Sequence, residues 1–300
     1  MPIRAALTVM ASCLLIAVGC TSKDEDTGNE DTGTPNDPEP SVSLEVTDVP
    51  DEHSEMGAVF SKFVSVFGIP IFATADTLEE DILHAANVLA QYLDNDENGS
   101  VDDPPVLQAM LDEKAALVMA ATYFEMEQLF NSGAFFGIED DYAFQDLYGD
   151  ETHPEGSSGS GFDATLEEVL HLVTFGGYAQ VYPAAFGFGA GTELTDAMDI
   201  ARGGHFDSVP SDYPDDAWYH YDDWTCDYEC MAVEYFYWGL TSLLGAQDYP
   251  GRCQNIAHEW EPCTTELMRS TDVKLTALLE DPVYKMPTVL PDGDYVPNND

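Results

Sequence analysis

The chain has 300 residues, with 57 Asp or Glu against nine Lys or Arg, and a formal net charge of −48. Such a balance argues against nucleic acid as a partner, because phosphate binding needs the opposite sign. It suits a solvated surface or an affinity for cations, and it leaves buried carboxylates few basic side chains to meet.

Residues 1–19 read as an export signal, with Arg4 as the basic start and Ala5 to Val18 as a short apolar run. Ala17-Val18-Gly19-Cys20 resembles a bacterial lipobox, which predicts cleavage before Cys20 and lipidation of Cys20. A plain secretory signal is the alternative, and both readings export the chain. The apolar run is too short for a transmembrane anchor. The expected location is the outer membrane or cell surface of a bacterium, with membrane contact through the lipid only. Residues 20–45 are expected to form a disordered acidic linker, since Thr21 to Pro40 offers no hydrophobic side chain to bury. Residues 46–300, about 255 in all, fit one globular domain; no repeat and no second linker is visible.

Within that domain, Phe60 to Phe72 predicts a short helix followed by a strand. Thr77-Leu-Glu-Glu80 matches a capping box, opening a helix whose Leu78, Ile82, Ala85, Leu89 and Leu93 recur at helical spacing. His84 on this helix reads as structural. The helix runs into Asp94-Asn-Asp-Glu-Asn-Gly-Ser-Val-Asp-Asp103, which follows the pattern of an EF-hand loop. Asp94, Asp96 and Asn98 would be side-chain ligands, Ser100 a carbonyl ligand and Asp102 the ninth-position ligand, with Gly99 at the sharp turn. Pro105 stands where the bidentate Glu belongs, so Asp102 or Asp103 must complete the sphere. Calcium is the expected ion, because packed carboxylates without a cation repel; the alternative is an ion-free Asp/Asn/Gly turn.

Val106–Leu111 predicts a helix, Ala115–Ala120 a strand, Tyr123–Phe130 a helix, and Gly156–Gly161 a flexible loop. Next comes Asp163-Ala-Thr-Leu-Glu-Glu-Val-Leu-His-Leu-Val-Thr-Phe-Gly176, a helix that Asp163 or Thr165 would cap. Thr165-Leu-Glu-Glu168 is itself a capping box, which would turn Glu168 back onto the helix start. The same stretch permits a metal site. Glu167 and His171, at i and i+4, share one face and can reach one ion, while Glu168 on the neighbouring side could take a proton from a metal-bound water. A third donor is available in Cys230–Leu244, a helix apolar on nearly every side with Glu234 in its middle. An unpaired buried carboxylate is costly, so Glu234 requires a metal, tyrosine hydroxyls, or a pair with Arg202 or Arg252.

These residues resemble the zincin metallopeptidases, specifically the gluzincins and domains of the anthrax-lethal-factor type. The resemblance spans about residues 55–245, and Glu167 stands where the first histidine of H-E-x-x-H would be. It implies Glu167, His171 and Glu234 as metal ligands, Glu168 as general base, and a tyrosine before the glutamate helix as oxyanion stabiliser. Tyr219, Tyr221 and Tyr228 are candidates for that last role, with Tyr221 preferred. Two carboxylates and one imidazole neutralise a divalent ion more fully than a two-histidine site. They shift preference from zinc towards harder ions such as manganese or calcium, and weaken a bound water as nucleophile. His205 or His220 could serve as a substitute ligand, and the aromatic stretch Trp218–Trp224 could face a substrate. Removing Cys13 and Cys20 from the six cysteines leaves Cys226, Cys230, Cys253 and Cys263. In an exported chain these predict two disulfides with three possible pairings, a cysteine zinc site being the rival.

The expectation is therefore an α+β, mostly helical zincin-like single domain with a small sheet. Its expected activity is metal-dependent hydrolysis of peptide or protein substrates, using zinc or another divalent metal, or the chain is a degenerate descendant of such an enzyme. The competing class is a non-catalytic, calcium-stabilised surface lipoprotein that binds a partner.

Overall fold

The structure is a computed structural model, and it describes residues 42–297 apart from Phe136, Glu139, Asp140, Gly159 and Ser160. The expected export signal, the expected lipidation site Cys20 and the expected linker up to residue 41 lie outside the described residues. The first strand begins at Val42, so the last four residues assigned to the linker belong to the fold.

The fold is α+β. Five strands, β1 (Val42–Thr47), β2 (Lys62–Val66), β3 (Ile69–Ala73), β4 (Ala115–Ala120) and β5 (Ala143–Tyr148), form one mixed sheet in sequence order. The first three pair antiparallel, and β3, β4 and β5 pair parallel. The helix expected at the start of Phe60–Phe72 is instead a strand of a hairpin. Val66 pairs with Ile69 across a two-residue turn in which Phe67 and Gly68 have φ of 49° and 85°. Two consecutive positive φ values are what a tight hairpin demands, and Gly68 supplies one without strain.

Helix α1 (Glu79–Leu93) leads through the acidic loop to α2 (Pro104–Asp112) and then β4; α3 (Tyr123–Ser132) joins β4 to β5. Parallel neighbours need such crossovers. Ile82, Ala85, Leu89 and Leu93 face the core as their spacing predicts, but Leu78 is exposed. The capping box at Thr77 does not form, because the Thr77 hydroxyl pairs with that of Thr74 at 2.9 Å instead.

After β5 the chain is helical: α4 (Thr165–Val173), a π-helical turn (Thr174–Tyr178), α5 (Ala179–Val181), α6 (Pro183–Phe186), α7 (Glu193–Ala201), α8 (Tyr228–Leu244), α9 (Arg252–Ile256), α10 (Thr265–Thr271) and α11 (Val273–Leu279). Gly177 lets the π turn lie against α2, since a Cβ there would come within 2.6 Å of Val106 Cγ1. The main core lies between one sheet face, α1, α4 and α8; a smaller aromatic cluster with Phe60, Phe72 and Phe135 covers the other face. Helix α4 packs against α1, β5 and α8 together, which fixes its position in the domain. Cys226 pairs with Cys230 at the start of α8, and Cys253 with Cys263, so the cysteines form disulfides and not a zinc site. Among the described residues no helix is long and apolar enough to cross a membrane.

Candidate metal centre

Glu167 and His171 lie one turn apart on the side of α4 that meets α8, and α8 contributes Glu234 from its buried middle. His171 Nε2 stands 3.6 Å from Glu234 Oε1 and 3.9 Å from Glu167 Oε1. One donor atom from each of the three lies within 4.8 Å of the others. The side chains of His171 and Glu234 are 2% exposed and that of Glu167 is 18% exposed, so solvent reaches the trio from the Glu167 side. His171 Nε2 is buried with no hydrogen-bond partner. An orphaned buried polar atom costs about 1–3 kcal/mol, and it points directly at two carboxylates. One imidazole nitrogen and two carboxylate oxygens fit a divalent cation. Burial pushes the His171 imidazole down to about 3, which keeps its lone pair free.

No family model, curated protein or solved structure matches the chain.

A chain of hydrogen bonds supports the trio. The Tyr237 ring stands against His171 at 5.7 Å between centroids, and its hydroxyl bonds the Glu167 carboxylate. Gln247 Nε2 donates to the Tyr237 oxygen at 3.2 Å, which turns the phenolic proton towards Glu167. Arg252 Nε donates to Gln247 Oε1 at 2.7 Å, and its guanidinium lies over the rings of Phe162 and Trp238. Burial raises the Glu167 carboxyl to about 7, opposed first by the Tyr237 bond and then by the Arg252 charge. Arg202 is also engaged away from Glu234: its Nη1 donates to Phe206 O, and it lies over Phe206 and Tyr213.

Glu168 does not fold back to close a capping box. Its Oε2 accepts from Gln145 Nε2 of β5 at 2.5 Å. The Thr165 amide bonds Asp163 Oδ1, and the Thr165 hydroxyl is buried without a partner. Asp163 is an anchor for several groups, since it also accepts from the His153 amide and pairs with His84 Nε2 at 2.7 Å, the structural role expected for that histidine. Burial raises the Glu168 carboxyl well above the usual range, and the charges of Glu167, Glu151, Asp146 and Glu234 add to this.

The tyrosine beside His171 is Tyr237, three residues after Glu234 on the same helix face; the i, i+3 spacing carried that signal in the sequence. Of the expected candidates, Tyr219 donates to Met231 O and Tyr228 to Asp199 Oδ1. Tyr221 packs its ring 6.1 Å from Tyr219, and its carbonyl accepts from Tyr213. His205 sits on the surface between Asp199 and Asp207, and His220 packs on Tyr213 with Nε2 against Ala217 O.

In the loop after α1, carboxylates of Asp94, Asp96 and Asp102 also converge within 4.8 Å. Asp94 is fully buried and accepts the amides of Asn98 and Gly99. Asn98 Oδ1 accepts from the Ser100 amide. The chain near the C-terminus is strapped across this loop: Tyr295 donates to Asp94 Oδ2 at 2.6 Å, Lys285 to Asp102 O, and Asn95 bonds both Thr288 and Val289.

Proposed function

We propose that the protein is a divalent-metal-dependent hydrolase of the peptide-bond type, of zincin-like design, exported and lipid-anchored at Cys20. The observation that carries this reading is the partnerless, buried His171 Nε2 aimed at the carboxylates of Glu167 and Glu234. Those three residues would hold the ion. A bound divalent cation supplies Lewis acidity and lowers the pKa of a coordinated water. With two carboxylates in the donor set, the site suits manganese or another hard ion as well as zinc. Glu168 is the proton carrier: Gln145 holds its Oε2, leaving Oε1 to accept and return a proton. For the oxyanion donor, Tyr237, set against His171, is a nearer candidate than Tyr221, which packs on Tyr219. A calcium ion at Asp94, Asp96, Asn98, Ser100 and Asp102 serves stability.

The test is Glu168→Gln in mature protein, with metal content measured beside peptide hydrolysis. Loss of turnover with full metal content is expected. Unchanged turnover refutes the mechanism, and loss of metal makes Glu168 a ligand. The second reading, a non-catalytic calcium-stabilised surface protein that binds a partner, is favoured by the enclosure of His171 and Glu234, which leaves only Glu167 in contact with solvent. Fully metallated wild type without hydrolysis of any peptide supports it.

A further inference from the structure

Outside the metal trio, the loops before and after α8 form an open groove of about 700 Å³. Tyr213, His220, Asp222, Trp224 and His258 line it. Two of its walls are fixed: the Tyr213 hydroxyl donates to Tyr221 O at 2.7 Å, and His220 Nε2 is held at 2.9 Å from Ala217 O. The Trp224 indole is 80% exposed, a large apolar face left in water on a chain of otherwise well-buried tryptophans such as Trp238 and Trp260. At the other side of the groove, Asp222, His258 and Glu259 bring donor atoms within 4.8 Å of one another.

Glu259 links the groove to the metal trio. Burial and the hydrogen-bonded Asp222 raise its carboxyl well above the usual range, so the pair holds a proton between them, and it also feels the charges of Glu167 and Arg252. Glu167 is the member of the trio that solvent reaches.

We infer that this groove is a substrate subsite for a basic peptide side chain, arginine before lysine, with Trp224 as its stacking face and Asp222 as its carboxylate, backed by Glu259. The inference rests on the hydrolase reading for its link to cleavage, but not for binding itself. Charge complementarity favours it, because a net charge of −48 and the Asp222 carboxylate in the groove wall repel acidic ligands and attract cationic ones. A planar guanidinium suits both an indole face and a carboxylate. It stacks on an indole and pairs with carboxylates through several N–H donors, whereas an ammonium is a point charge.

The experiment compares three blocked tripeptides, alanine–X–alanine with X as arginine, citrulline or glutamate, binding to mature protein stripped of transition metal but kept in calcium. Tryptophan fluorescence reads the exposed Trp224. The arginine peptide should bind at least about tenfold tighter than the citrulline isostere, weaken as salt rises, and lose that preference in Asp222→Asn and Trp224→Ala. Equal binding of the three peptides, or unchanged preference in both variants, overturns the inference. So does a fluorescence response to zinc without any response to the arginine peptide, which would make Asp222, His258 and Glu259 a metal site. Arginine-selective binding without hydrolysis by metallated protein keeps this subsite and removes the hydrolase reading; hydrolysis indifferent to arginine does the reverse. Both variants alter exposed side chains, and their melting temperatures check that the fold is intact.

Discussion

Replacing Glu234 by Gln separates a metal centre from a buried polar cluster by the sign of its effect. The Glu234 side chain is 2% exposed, in a helix that is apolar on almost every side. The amide keeps the size and removes the charge. Without metal, wild type must hold two carboxyl groups against a neutral imidazole in a poorly hydrated space, which disfavours the charged forms. Metal-free Glu234→Gln should therefore melt no lower than metal-free wild type. With metal the order reverses. An ion bound only by the native state adds RT ln(1 + [M]/Kd), about 2.7 kcal/mol at one hundred times Kd. For a domain of this size that is about 5–10 °C in melting temperature. The variant gains much less, because a neutral amide oxygen is a weak ligand. Calorimetry or scanning fluorimetry on mature protein reads the crossing, with calcium in excess throughout so that the loop at Asp94 contributes equally. Manganese and zinc are then titrated separately. A Glu234→Gln curve displaced downward by the same amount with and without these metals refutes the reasoning, as does a wild type that neither metal stabilises.

The support of Glu167 predicts that Tyr237→Phe weakens metal affinity by about 10–100-fold, the usual range for partners behind the ligands, while metal-free stability changes much less; isothermal titration with manganese measures it. The loop after α1 predicts that removing calcium lowers the melting temperature and increases proteolysis of the strap at residues 285–296, and that Asp96→Ala abolishes most of this dependence. A chelator-insensitive wild type would make the loop an ion-free turn. Burial raises Asp81 to about 6 from an ordinary value of 3.8, with Glu80 adding to the shift and His84 and His153 opposing it. The native state then holds this proton more tightly than the unfolded chain, so its contribution is full below about pH 4 and is lost as pH rises through about 6. In Asp81→Asn that part of the stability slope disappears, and the difference between the two denaturation profiles should be flat above about pH 7.

The convergence of Glu167, His171 and Glu234 was legible because its signals are local. Glu167 and His171 are one helical turn apart, and Glu234 is the one charge in the buried middle of an apolar helix, beyond Glu229 in its first turn. Neither capping box forms, because other partners take the side chains: Thr77 pairs locally with Thr74, and Glu168 pairs with Gln145 from a strand 23 residues earlier. The hairpin of β2 and β3 was hidden in an apolar, β-branched run whose length and periodicity do not separate helix from strand. Disulfide pairing could not follow from spacing. The groove was least visible of all, since Tyr213 and Trp224 from the long connection before α8 meet His258, beyond α9, only in three dimensions.

The shortage of cations gives the trio its meaning. Among the described residues, Arg269–Glu280 is the sole ion pair between a lysine or arginine and a carboxylate, and it lies on the surface. Lys62, Lys285, Arg202 and Arg252 donate to neutral oxygens instead. A buried carboxylate here must therefore be protonated, hydrogen-bonded to neutral groups, or bound to a metal. Protonation alone would serve Glu234 well if its hydroxyl donated to His171 Nε2, but O–H···N bonds need heavy atoms about 2.7–3.0 Å apart. The observed separations from Nε2, 3.6 Å to Glu234 and 3.9 Å to Glu167, are too long for that bond. Ligand bonds of about 2.0–2.2 Å around one tetrahedral ion place donors roughly 3.3–3.6 Å apart. The shorter separation falls in that range and the longer exceeds it by a few tenths of an ångström, within reach of a side-chain adjustment. The imidazole nitrogen is thus too distant to share a proton with either acid; a proton held by the metal-free centre lies instead between Glu167 and Glu234, which are hydrogen-bonded to each other, and a bound cation would have to displace it.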